Sequence, residues 1–171
     1  LADGCVKVST QNAASATFTA DMSFKEASLS SDQLPFPISG ITAKAVFTPD
    51  SILVKDFSGR YADGSVSLTG QVQPGTQPDQ FMYRLALKFQ QARLDTRLLG
   101  FLPESIRKVV SDLKPEGRVN LAVDLNRQNP AEPADYSIDL ECLDNSIIAP
   151  GLCYLVEDVN GTVLIKPDSI K

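Results

Sequence analysis

Strict alternation of apolar and polar residues recurs along this chain, and no other feature limits its fold as tightly. Phe18, Ala20, Met22 and Phe24 alternate with Thr17, Thr19, Asp21, Ser23 and Lys25. Phe81, Tyr83, Leu85, Leu87 and Phe89 alternate with Met82, Arg84, Ala86, Lys88 and Gln90. Val119, Leu121, Val123 and Leu125 repeat the pattern, as do Tyr136, Ile138, Leu140 and Cys142. Shorter cases are Val66, Leu68 and Val72, and then Val159, Val163 and Ile165. Successive side chains of an extended strand leave on opposite faces, so a period of two predicts a sheet with one apolar and one solvated face. Turn chemistry separates the runs. Thr48-Pro-Asp-Ser51 places proline where its fixed φ suits a type I turn, and Ala62-Asp-Gly-Ser65 suits a tight hairpin. Strands joined this way form an antiparallel meander, here of about eight to ten strands in a strongly curved, open sheet.

One segment leaves the period of two. Ile106, Val109, Val110 and Leu113 fall on one face of a helix, with Pro103 in its first turn and Pro115 ending it. This spacing predicts a single amphipathic helix over 103–114, packed over an edge or open end of the sheet. A shorter helical piece is expected before it, around Asp95–Leu99.

The chain also repeats itself. Sliding it by 118 positions aligns Thr17–Ile52 with Asp135–Ile170 without a gap, giving seven identities in 36 positions. They are Asp21/Asp139, Ser28/Ser146, Leu34/Leu152 and the run Pro49-Asp-Ser-Ile52 with Pro167-Asp-Ser-Ile170. Apolar character matches at Phe18/Tyr136, Met22/Leu140, Ile41/Val159 and Phe47/Ile165. Upstream, Asp3-Gly-Cys-Val-Lys-Val8 echoes Glu116-Gly-Arg-Val-Asn-Leu121 if the following loop is five residues shorter. Residues 1–171 are therefore read as one fragment of a longer repeat array. Within it, 1–14 ends a preceding unit, 15–134 is one unit and 135–171 begins the next.

Composition narrows the chemistry. Apolar residues are 43% and charged residues 22%, as in a folded domain, and the net charge of −5 argues against a nucleic-acid partner. Histidine is absent, which removes the commonest general base and the commonest metal ligand. The three cysteines, Cys5, Cys142 and Cys153, show no metal-ligand spacing. Cys142 reads as a buried free thiol, with a bridge to Cys153 across a hairpin as the alternative. Ser105-Ile-Arg-Lys108 fits an S-x-x-K pattern but lacks its K-T-G and S-D-N companions, so two exposed helix residues is the better reading. Asp139, Glu141 and Asp144 read as a solvated strand face, since no calcium-loop pattern accompanies them. No catalytic residue, metal site or cofactor is expected, and the chain is read as a non-enzyme.

The order of the pieces resembles the AsmA-like family of bacterial envelope proteins, of the TamB and YhdP type. The matching stretches are Leu34–Ile41 leading to Phe47–Ile52, then Asp56–Gly70, the helical stretch Leu94–Leu113, Gly117–Leu125 and Tyr154–Val163. The resemblance covers nearly the whole chain through strand and turn patterns and not through invariant residues. It implies a repetitive β-groove whose apolar inner face carries phospholipid between inner and outer membranes. It also implies a periplasmic location and an inner-membrane anchor outside this sequence. Phe18, Met22, Phe24, Phe81, Tyr83, Leu85, Leu87, Phe89, Val119, Leu121 and Val123 would then line the groove. Alternation reports one apolar face and not what covers it, so a closed core lined by the same residues stays open. The other functional reading is a spacer or protein-interaction module of the envelope with no small-molecule ligand.

Overall fold

The computed structural model describes residues 5–11, 17–30, 37–75, 77, 80–94, 98, 107, 112–148, 154–167 and 169–170, with backbone only at 5–11, 17–19, 21 and 169–170. Among the described residues ten strands follow one another: β1 (Cys5–Gln11), β2 (Thr17–Leu29), β3 (Ile38–Thr48), β4 (Ser51–Tyr61) and β5 (Gly64–Pro74), then β6 (Phe81–Arg93), β7 (Glu116–Arg127), β8 (Asp135–Ile148), β9 (Leu155–Lys166) and β10 (Ser169–Ile170). They form one sheet in chain order, and every neighbouring pair is antiparallel. Among the described residues no pairing joins β1 to β9 or β10, so the sheet is open.

Short turns set the register. Tyr61 pairs with Gly64, leaving a two-residue loop in which Ala62 takes φ 46°. Positive φ is what a right-twisted hairpin of this length requires. At the next turn back, Thr48 Oγ1 lies 3.0 Å from Ser51 Oγ and closes the Thr48–Ser51 corner. Bulges interrupt the ladders inside the long strands. Glu26, Gln91, Asp144 and Asp158 adopt φ between 51° and 56°, each where a register shift occurs. A bulge restores the side-chain phase after an extra residue, so the apolar face continues through it.

The register itself recurs at a displacement of 118. Ala20↔Phe47, Met22↔Ala45, Phe24↔Ala43, Ala27↔Ile41 and Leu29↔Ile38 of β2–β3 become Ile138↔Ile165, Leu140↔Val163, Cys142↔Gly161, Asn145↔Val159 and Ile147↔Val156 of β8–β9. Both register shifts recur at the same places. So does the left-handed backbone, at Glu26 and Asp144 and at Gly40 and Asp158. The start of β4 recurs as β10, with Thr48↔Ser51 and Phe47↔Ile52 matching Lys166↔Ser169 and Ile165↔Ile170. One detail of the sequence alignment is corrected. Val6 pairs with Met22 and Leu121 with Leu140, so Val6 corresponds to Leu121 and not to Val119. The slip is two residues, which preserves the period of two and leaves alternation unable to detect it.

The single amphipathic helix expected over 103–114 is not borne out. Helical backbone is described at Leu98 and again at Arg107, Asp112 and Leu113, on both sides of Pro103. The rest of 103–114 lies outside the described residues, including Ser105, Ile106, Lys108, Val109 and Val110, and so does most of Asp95–Leu99. Helical spacing marks an apolar stripe, but a helix this short draws its stability from packing and not from spacing.

The core sits at one end of the apolar face. Tyr61, Val66, Phe89, Ala92, Leu94, Leu98, Val119, Leu121, Ile138 and Ile165 form one buried cluster. The Tyr61 and Phe89 rings meet edge to face at 5.4 Å, a favoured aromatic geometry. Leu94 N donates to Gly117 O at 3.0 Å and fixes the place where the chain leaves β6 and returns to β7.

Candidate functional site

Following the pairs across the sheet converts the strand pattern into cross-strand ladders. Phe24, Ala43, Phe57, Leu68, Leu87, Val123, Ile138, Ile165 and Ile170 stand in one unbroken row over nine strands. At a strand spacing of about 4.8 Å this row runs roughly 38 Å. Met22, Ala45, Val54, Gly70, Leu85, Leu125 and Tyr136 form the next row. Beyond it lie Ala20, Phe47, Ile52, Val72, Tyr83 and Arg127. On the other flank stand Gly59, Val66, Phe89, Leu121, Leu140 and Val163, followed by Ala92, Val119, Cys142 and Gly161. Across these five rows Arg127 is the only charged residue. Its guanidinium is turned to the β7–β8 connection, where Nε donates to Glu132 O at 3.1 Å and Nη2 donates to Pro130 O.

Burial along this face is graded. Ala92 and Val119 are fully buried, and Phe89 and Leu121 are nearly so, under the cluster that Leu94 and Leu98 complete. In the middle rows Met22, Phe24, Leu85, Leu87 and Val123 are half-buried. Tyr83 is half-buried in the outer row, whose Ile52 is 37% exposed, and Phe81 beyond it is 44% exposed. The residues expected to line a groove therefore divide. Phe89, Val119 and Leu121 belong to a closed core, whereas Met22, Phe24, Phe81, Tyr83, Leu85, Leu87 and Val123 lie along the less covered part. Phe18 is described by its backbone, opposite Thr10 of β1. Several residues of the rows were missed by reading the sequence. Ala43 and Ala45 are small enough to pass unnoticed, and the bulge between Val54 and Phe57 breaks the alternation that would mark β4.

The opposite face is largely polar, with Leu53 exposed on it, and shallow depressions lie along it. One, of about 590 Å³, is bordered by Leu53, Thr69, Gln71, Arg84, Asp124 and Asn126, and it also touches Leu85 and Leu125 of the apolar rows. Asparagines there clamp two bulges. Asn120 Oδ1 accepts from Gln91 N at 3.0 Å while its Nδ2 donates to Glu141 Oε2 at 2.8 Å. Asn160 Oδ1 accepts from Asp144 N at 2.9 Å while its Nδ2 donates to Asp144 Oδ1 at 2.7 Å. Glu141 and Asp144 are thus engaged in the framework. Among the described residues no cluster of carboxylates and thiols could hold a metal ion. Ser105 and Lys108 lie outside the described residues. Cys142 is a free, half-buried thiol, and Cys153 lies outside the described residues. Among the described residues no helix is long and apolar enough to cross a membrane. No family model, no curated protein and no solved structure matches this chain.

Proposed function

We propose that the uncharged rows form an acyl-binding track, and that the chain is a non-catalytic, lipid-binding and lipid-transfer segment. The observation that carries this reading is the nine-strand row from Phe24 to Ile170. It is apolar throughout, and it is flanked on the less covered side by one further uncharged row and then by a row whose single charge is Arg127. A solvated sheet needs one apolar face to fold, but large contiguous apolar surface left accessible marks a binding surface. Moving a two-chain lipid through water exposes on the order of thirty methylenes at ~0.8 kcal/mol each, above 20 kcal/mol in all. A continuous apolar trough removes most of that penalty. The bulges in β2, β3, β4, β6, β8 and β9 bend the strands that carry them, and they support a sheet curved into such a trough.

In this reading the ligand is phospholipid or another acyl lipid, held between repeats of the same chain. The site of action is the bacterial periplasm, with inner-membrane anchoring through a segment outside this sequence, as the AsmA-like resemblance implies. The second reading is a spacer or interaction module of the envelope. It is favoured by the closed cluster at Val119, Phe89 and Leu121, which leaves no room for a ligand at that end. Native mass spectrometry of the chain purified from a bacterial envelope separates the two. Co-purifying phospholipid, lost in a Leu85→Asp variant that stays folded, is the expected result. Ligand-free protein from phospholipid-rich membranes would leave only the spacer reading.

A further inference from the structure

Every side-chain oxygen and nitrogen in the five rows of the apolar face belongs to one of three residues, Tyr83, Arg127 and Tyr136, and the three are neighbours. Arg127 ends β7 in the outer row, directly across from Tyr83 of β6. Tyr136 of β8 pairs with Leu125 and so stands diagonal to Arg127, at about 7–8 Å and within reach of long side chains. All three are half-buried. The sheet itself does not demand the Tyr136 hydroxyl, because the first repeat has Phe18 at that position.

The charge is held in place without being neutralised. Nε and Nη2 of Arg127 donate to the backbone carbonyls of Glu132 and Pro130, which orient the guanidinium and leave its charge intact. A guanidinium has five N–H donors, so about three remain for another partner. The one acid in the connection 128–134 is Glu132, and its carboxylate accepts from Asn129 Nδ2 at 3.1 Å. Among the described residues no carboxylate pairs with Arg127, and neither phenol is hydrogen-bonded. A fixed arginine between two tyrosines offers donors to the oxygens of a phosphate and apolar rings to whatever adjoins it.

We propose that Tyr83, Arg127 and Tyr136 form the headgroup end of the acyl track, a subsite for the phosphodiester of an anionic diacyl phospholipid. This inference rests on the acyl-binding reading and adds where the ligand begins and which charge it carries. The phosphate oxygens take the remaining Arg127 donors and the two phenols. The Tyr83 ring lies against the first methylenes, and the tails extend over Leu85 and Leu87, away from the polar connection at Pro130–Glu132. A neutral lipid would leave the half-buried guanidinium without a counter-charge, so the site selects against it.

The test offers the 171-residue chain dioctanoylphosphatidylglycerol and dioctanoylglycerol, which share their acyl chains, and glycerol 3-phosphate, which has none. Native mass spectrometry reads the bound fraction of each. Roughly tenfold tighter binding of the phospholipid than of the neutral lipid is expected, with glycerol 3-phosphate much weaker than either. Arg127→Gln should bring the two lipids within about twofold of each other, whereas Arg127→Lys, which keeps the charge but not the two-carbonyl clamp, should retain most of the preference. Tyr136→Phe should lower phospholipid binding about threefold and leave the neutral lipid unchanged. Equal binding of both lipids to the unaltered chain, or a preference that survives Arg127→Gln, would overturn the headgroup site and leave the acyl track standing. Glycerol 3-phosphate binding as tightly as the phospholipid would overturn it in favour of a site for small phosphates. Binding of none of the three would overturn both the site and the acyl track on which it rests.

Discussion

Gly117 and Asn145 meet at the closed end of the sheet, and they show how two residues can hold a register. Gly117 adopts φ 137°, and a Cβ there would run into the Asn145 side chain. Asn145 is 1% exposed, and neither its Oδ1 nor its Nδ2 is hydrogen-bonded. Gly117→Ala combines a disfavoured backbone with overlap and should destabilise the chain by about 2 kcal/mol or more, read as a lowered urea midpoint. Asn145→Ala should behave oppositely. The first repeat has Ala27 at this position, and removing a buried amide without partners should be neutral or stabilising by up to about 1 kcal/mol. A loss larger than that would mean the amide is hydrogen-bonded in solution. Neither residue stands out in the sequence, because an unpaired buried amide is a property of packing and not of pattern.

Among the elements, strands were legible wherever the period of two ran uninterrupted, as in Phe81–Phe89 and Tyr136–Cys142. Bulges were not, because Glu26, Gln91 and Asp144 hold left-handed backbone without being glycine. Their stabilisers are side chains from the adjacent strand, Asn120 for Gln91 and Asn160 for Asp144, which lie 29 and 16 residues away in sequence. Asn120→Ala and Asn160→Ala should each cost about 1 kcal/mol, since an exposed side-chain hydrogen bond contributes that order. The loss should appear first as faster amide exchange at Gln91 and Asp144. Unchanged exchange at both amides would show that the bulges are held by the ladders alone. The connection from β6 to β7 was misread for a related reason. Helical spacing at Ile106–Leu113 reports an apolar stripe, whereas helical backbone is described there only at Arg107, Asp112 and Leu113.

Over the whole molecule, alternation identified which residues share a face, and the ladders show how far that face extends. What alternation could not convey is coverage. Leu94 and Leu98 come from outside the strand pattern, yet they close off Phe89, Val119 and Leu121 and leave the other flank of the face less covered. The lipid-binding account therefore predicts a positional result along β6. A photoreactive residue at Leu85 or Tyr83 should cross-link to phospholipid acyl chains. The same residue at Arg84 or Ala86, on the opposite face, should not, and at Phe89 it should join only protein. Site-specific photocross-linking in a bacterial envelope, read by mass spectrometry of the adducts, measures this directly. Acyl adducts at Tyr83 and Leu85 alone are the predicted outcome; equal labelling of both faces, or none at either, would contradict the account.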